Sequence, residues 1–249
     1  MSGIRAAVIG ARGRMGQEAV AALEEAEGID LVAALGSSDS LSALTEANVE
    51  VAVELTIPAV TEQNVAFLVE HGIHAVVGTT GWNQDRLDRL EKTLATSPAT
   101  GVLIAPNFSI GAVLAMHFAE LAAKYFDSAE VVEIHHPNKL DAPSGTAVHT
   151  ARRIAAARAA AGMGPVPDAT ESDEGGSRGA VIDGIHVHAI RQRGRVAHEE
   201  IQFGSEGEAL TIRTDSFHRG AFMPGIVHAV RHIAEHPGLT HGLEHLLDL

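Results

Sequence analysis

The stretch Glu133-Ile-His135-His136-Pro-Asn-Lys139-Leu-Asp141-Ala-Pro143-Ser144-Gly145-Thr146-Ala147 concentrates side chains that can do chemistry. Histidine gives or takes a proton near neutral pH. Lys139 offers a compact positive charge with three donors. Ser144, Gly145 and Thr146 open a helix, where free N–H groups and a hydroxyl suit a carboxylate. These parts make an acid/base site that grips an anion, and each could act on a small dicarboxylate. Structural roles stay open for some of them. Consecutive strand residues face opposite ways, so one histidine could be structural unless Pro137 distorts the strand end. Ser144 or Thr146 could serve only as a helix cap. Lysine is scarce, with only Lys92, Lys124 and Lys139 among 18 cations, so its presence in this loop is suggestive.

A second constellation is Gly10-Ala11-Arg12-Gly13-Arg14-Met15-Gly16, after an apolar run and before a helical pattern. Glycine lets the chain turn tightly and lets backbone approach a pyrophosphate. The N–H groups and dipole of the following helix then hold the phosphates. GxxGxxG is a variant of the dinucleotide fingerprint, and its place after a first strand sets it above an ordinary turn. No acid ends the second apolar run: Leu35 is followed by Gly36-Ser37-Ser38 and then Asp39. An acid there favours NADH, whereas Arg12 and Arg14 suit a 2′-phosphate. The expected cofactor is NADPH or NADH, with NADPH accepted at least as readily, unless Asp39 curls back into the usual acid's role. Gly78-Thr79-Thr80 and Ala105-Pro106-Asn107-Phe108 each follow a further apolar run. They are expected to face the nicotinamide half of the cofactor.

The elements that must position these groups fall into two patterns. Ile4–Gly10, Ile29–Leu35, Val49–Thr56, His74–Gly78 and Thr100–Ala105 read as near-continuous apolar strands. Helices over about 15–26, 59–71 and 83–95 separate most of them. That alternation predicts a Rossmann-type doubly wound parallel sheet covered on both faces. After Asn107 come a helix over 110–126, a strand over 129–136 and a helix over 144–161. A Gly/Pro/Asp/Ser-rich stretch, 162–179, precedes three close strands at 185–191, 196–203 and 208–214. Strands in succession predict a mostly antiparallel sheet in an α+β domain. The tail, 222–249, reads as helical. The expected organisation is a dinucleotide-binding domain, 1–107, completed by 217–249, and a substrate-binding and oligomerisation domain, 108–216.

Composition narrows the function. Cysteine is absent, which removes disulfides, thiol nucleophiles and thiolate metal sites. The 15 histidines are mostly scattered and no HExxH occurs, so no metal is expected. The formal charge is −14 without a basic stripe, so nucleic acid is an unexpected partner. No segment has the ~18 consecutive apolar residues of a membrane helix, and none reads as a signal peptide. A cytoplasmic location is expected.

The window from Glu133 to Ala147 closely resembles the signature of the 4-hydroxy-tetrahydrodipicolinate reductases, long called dihydrodipicolinate reductases. GARGRMG, VVGTTG, APNFSIG and EGEALTIRTDSFHR are similar to that family in the expected order. The resemblance spans essentially the whole chain. It implies reduction of 4-hydroxy-tetrahydrodipicolinate to 2,3,4,5-tetrahydrodipicolinate in lysine biosynthesis through diaminopimelate. It implies His135 as proton donor or acceptor, Lys139 as second donor and His136 as a substrate ligand. Gly145 and Thr146 would hold a carboxylate with Ser144 beside them. The cofactor would lie on Gly10 through Met15, Gly78 through Thr80 and Ala105 through Phe108. A homotetramer built through the second domain's sheet is implied as well. The departure is Gly36, where many relatives carry an acid; it bears on NADH against NADPH.

Overall fold

The computed structural model describes residues 3–247 and 249. The chain divides into two compact units, Met1–Ile110 with Arg219–Leu249, and Gly111–His218.

In the first unit six strands form one parallel sheet: β1 (Ile4–Ile9), β2 (Ile29–Leu35), β3 (Val51–Glu54), β4 (His74–Val77), β5 (Gly101–Ile104) and β11 (Gly238–His241). Their spatial order is β11-β5-β4-β3-β1-β2. The chain runs outward from β1 to β2 and then crosses back to β3, so the order reverses between β1 and β3. Ligands of open α/β sheets bind at such a reversal, beyond the carboxyl ends of the strands. The strands are apolar throughout because both faces are covered. β3 and β5 are buried along their full length. Helices α1 (Arg14–Glu25), α3 (Thr61–Glu70) and α4 (Gln84–Leu94) alternate with the strands, and α2 (Ser42–Glu46) is one short turn. Asn83 caps α4, its side chain accepting from the Arg86 N–H at 3.0 Å.

The tail departs from expectation. Helix α7 (Met223–His232) is present, but β11 follows it and pairs with β5. The four residues of Gly238–His241, with Gly238 and the following Gly242 both at positive φ, are too few to show a period. Sheet pairing rather than pattern makes them a strand.

The second unit has a five-stranded sheet: β6 (Ser128–His135), β7 (Ala180–Ile182), β8 (Ile185–Arg191), β9 (Ala197–Ser205) and β10 (Glu208–Ser216). Its order is β10-β9-β6-β8-β7, and only β6 with β8 is parallel. Edge strand β7 was not expected. It joins β8 through Asp183-Gly184, both at positive φ, an Asp-Gly hairpin turn inside the sequence I-D-G-I. Helices α5 (Ile110–Ala122) and α6 (Gly145–Ala160) supply Ala115, Ala119, Ala151 and Ile154 to a core. Alternate residues of the sheet, Ala129, Val131, Ile201 and Phe203, meet them. The alternation carries Glu133 and Glu199 onto this same face.

The tightest backbone constraint lies in the first turn. A Cβ added at Gly16 would come within 2.1 Å of the Gly10 carbonyl oxygen. Gly16→Ala is therefore expected to cost ~1–3 kcal/mol of stability and to weaken dinucleotide binding. Gly164→Ala, whose methyl would meet open space, should stay within ~0.5 kcal/mol. Urea unfolding and dinucleotide titration of both variants check this.

Candidate active site

In the second unit the site is organised around a buried carboxylate. Glu133, near the end of β6, is 0% exposed. His135 is two residues on, so it shares the face of Glu133, and its Nδ1 lies 2.6 Å from Glu133 Oε2. Arg191, aligned with His135 on β8, forks onto both carboxylate oxygens at 2.8 and 2.9 Å. The Ser144 N–H donates to Oε1 at 3.0 Å. Burial works against ionisation, but the bonds from His135, Arg191 and Ser144 outweigh it and hold Glu133 down at about 2. The charged carboxylate can only accept, so the Nδ1–H of His135 donates to it. Nε2 is thus the ring nitrogen left to exchange a proton.

β6 ends at His135, and His136 lies in the loop beyond it. The strand end thus separates the two imidazoles' surroundings. His136 Nδ1 is buried without a hydrogen-bond partner, which is unusual for a polar atom and suits a ligand contact. Lys139 Nζ donates to Asp141 Oδ1 at 2.8 Å, and the Gly145 N–H donates to Asp141 Oδ2 at 3.3 Å. The bond from Lys139 holds Asp141 below the usual carboxylate range. An ammonium and a helix-start N–H therefore already converge on one carboxylate. Ser144 is the N-cap of α6: its hydroxyl accepts from the Ala147 N–H at 3.2 Å. Thr146 lies in the helix's first turn. Sequence reasoning gave no role to Glu133, Arg191 or Asp141. Glu133 stands two residues before His135 in the quoted window, but Arg191 is far along the chain and only the β6–β8 pairing finds it.

The first unit presents a cleft lined by Gly10, Arg12, Gly13, Gly36, Asp39, Thr56 and Asn64. Gly10 has φ +87, and a Cβ there would meet the Leu55 carbonyl oxygen at 2.5 Å. Gly13 starts α1 without a side-chain cap, and no acid occupies the helix's first turn. The helix start is therefore open to phosphate. Ala11 is buried, Met15 partly buried, and Arg12 and Arg14 exposed. Asp39 does curl back. Its Oδ2 accepts from the Gly36 N–H at 2.7 Å and lies 3.6 Å from the Arg12 guanidinium.

A Cβ at Gly78 would meet Leu55 at 2.7 Å and the Phe108 ring at 2.9 Å. Thr79 is buried with its hydroxyl unpartnered, beside an exposed Thr80. Ala105 and Phe108 are buried, Pro106 is exposed, and Asn107 Oδ1 accepts from the Ser109 N–H at 2.8 Å. Every one of these positions lies at the carboxyl end of a parallel strand. Open glycines, an uncapped helix start and an orphaned buried hydroxyl fit a dinucleotide.

Fold and site define a pyridine-nucleotide-dependent oxidoreductase with a separate acid/base, anion-gripping unit. The family model described as dihydrodipicolinate reductase, N-terminus, matches residues 4–108, and the one described as dihydrodipicolinate reductase, C-terminus, matches 111–247. The 4-hydroxy-tetrahydrodipicolinate reductase of Streptomyces griseus is 61% identical over 249 residues, covering 100% of each chain. The reductase of the same name from Beutenbergia cavernae is 59% identical, covering 99% of each. A solved structure, dipicolinate-bound dihydrodipicolinate reductase from Paenisporosarcina sp. TG-14, has TM-score 0.86 and 36% identity, covering 98% of this chain and 99% of that one. The chain belongs to the dihydrodipicolinate reductase family.

The sign of the Glu133 shift gives a stability test. A carboxyl lowered from 4.5 to about 2 on folding stabilises fully above pH 4.5 and loses that stabilisation as pH falls to about 2. The linkage amounts to ~3 kcal/mol. Glu133→Gln is expected to be destabilised by about that much at neutral pH. Denaturant unfolding across pH should show the gap between wild type and variant closing in that window. A gap independent of pH would contradict the ionised assignment.

Proposed function

We propose that the protein is a 4-hydroxy-tetrahydrodipicolinate reductase. It makes 2,3,4,5-tetrahydrodipicolinate in the diaminopimelate route to lysine. The observation that carries the residue-level reading is the set Glu133, His135 and Arg191 beside a loop in which Lys139 and the α6 start already grip a carboxylate.

When bound, the reduced nicotinamide supplies the hydride. The substrate's hydroxyl leaves as water, and His135 gives a proton to the ring carbon beside the one that takes the hydride, so one hydride and one net proton enter as one water departs. Glu133 holds its imidazole in one tautomer and balances the imidazolium's charge before the transfer. Lys139 is the second donor and places positive charge against the substrate's carboxylates. Gly145 and Thr146 hold one carboxylate at the helix start, with Ser144 shaping that start as its cap. His136 contributes the unpartnered nitrogen. Gly10 through Met15 hold the pyrophosphate, and Gly78 through Thr80 and Ala105 through Phe108 border the nicotinamide.

Both NADPH and NADH are used in this reading. Gly36 offers no carboxylate to the ribose, while Asp39 reaches the same strand end and also partly neutralises Arg12. Arg12 can exchange Asp39 for a 2′-phosphate. A homotetramer is supported by the second face of the five-stranded sheet, where Val181 and Ile190 are exposed. A cytoplasmic location accords with the absence of cysteine.

The assay makes the substrate in place from pyruvate and aspartate semialdehyde with its synthase, and follows loss of NADPH and NADH separately. His135→Gln should lower kcat by ~100-fold or more with little change in KM. Lys139→Ala should damage both. Near-normal turnover in the His135 variant would remove the assignment. Asp39→Ala is expected to shift the kcat/KM ratio toward NADPH and Arg12→Ala toward NADH. Identical ratios in both variants would sink the account of dual use.

A further inference from the structure

One buried carboxyl in the second unit has no part in the chemistry above. Glu199 on β9 is 6% exposed and stands directly opposite Glu133 in the antiparallel register of β6 and β9. Opposed residues share a face, and like charges there repel. Arg191 and His135 bind Glu133 and keep it ionised. Glu199 faces Thr150 on α6 and has Thr214 opposite it on β10. Among the described residues its one hydrogen-bond partner is that threonine, and no cation pairs with it.

The Thr150 hydroxyl lies between two acceptors. Its oxygen lies 2.6 Å from Glu199 Oε1 and 3.1 Å from the Thr146 carbonyl oxygen. A hydroxyl has one hydrogen, and a carbonyl can only accept. An ionised Glu199 would leave that one hydrogen shared between two acceptors, whereas a protonated Glu199 donating to Thr150 frees Thr150 to donate to Thr146, so that each contact is a full bond. We propose that Glu199 carries a proton in the resting enzyme and is a positioning residue. Its O–H and the Thr150 hydroxyl form a two-bond relay from β9 to the first turn of α6. That turn holds Gly145 and Thr146, so the relay sets the height of the carboxylate grip above the sheet. It also keeps a second negative charge away from Glu133, so that His135 senses one carboxylate. The positioning half rests on the substrate roles given above to Gly145 and Thr146; the protonation half does not. Burial, aided by the facing Glu133, pushes Glu199 up to about 7, against the bond that Thr150 would give to the ionised carboxylate.

Two measurements test the two halves separately. The first is isotope-edited infrared spectroscopy of full-length enzyme with carbon-13 glutamate, wild type minus Glu199→Gln. An undissociated carboxyl band is expected at about pH 6, fading as pH rises through about 7. Its absence at about pH 6 overturns the protonation. The second is steady-state kinetics at about pH 6. Thr150→Val and Glu199→Ala should raise the substrate KM about tenfold while kcat changes less than about threefold. Glu199→Gln, which keeps a neutral donor for Thr150, should restore most of the KM. Unchanged KM in Thr150→Val, or a Glu199→Gln as damaged as Glu199→Ala, overturns the positioning role. If Glu199→Ala fails to fold, Thr150→Val and Glu199→Gln decide the matter. A wild type with no reductase activity would sink the family-based reading and leave the infrared result standing.

Discussion

A single ionised carboxylate shut inside the second unit sets the conditions for everything around it. Glu133 cannot be hydrated, so its charge must be met by protein donors. It meets three: an imidazole, a guanidinium fork and a backbone N–H. Each donor belongs to a different element. His135 ends the same strand, Arg191 ends β8, and Ser144 begins α6. The desolvation cost of one charge thereby pins a strand end, a neighbouring strand and a helix start to one point. The proposed chemistry would draw on those same three pieces: His135 as proton donor, the Lys139 loop and the α6 start as an anion grip.

The anion grip is built by the same economy of parts. Arg191 spends one guanidinium nitrogen on Glu133 and on the Asp141 carbonyl, at 2.9 and 2.7 Å. The loop that carries Lys139 is thus fastened to the sheet through a residue fifty positions further on. Asp141 in turn holds Lys139 and the Gly145 N–H on one carboxylate. These exposed bonds are each weak in water. Their value is orientation, since they leave an ammonium and a helix N–H aimed at the same place.

The first unit poses a different problem, close approach of the chain to itself at the strand ends. Here the constraint is volume rather than charge. Gly10, Gly16 and Gly78 each stand where a Cβ would strike a neighbour. The strand-to-helix turns can then close tightly at the carboxyl ends of the sheet. The proposed dual use of NADPH and NADH turns on one small detail. Gly36 has no side chain, so Asp39 reaches its N–H from three residues away and shares Arg12.

Much of this was legible in the chain itself. Apolar runs at β1, β3, β4 and β5 report burial on both faces, and helix starts at Asn83 and Ser144 report their caps, because such signals are local. His135, Lys139 and the Pro-Ser-Gly-Thr turn lie in one window, so their nearness could be read without coordinates. What the sequence determined by itself was the family, the two kinds of sheet and the segment to which the acid/base role is proposed. Tertiary structure alone decided the rest. Arg191 and Glu199 come beside Glu133 through strand pairing, β11 exists through its pairing with β5, and Asp39 finds Gly36 only once its loop folds back. These are contacts between residues remote in sequence or set by a turn's path. Sheet register, which no local pattern encodes, chooses which residue faces which.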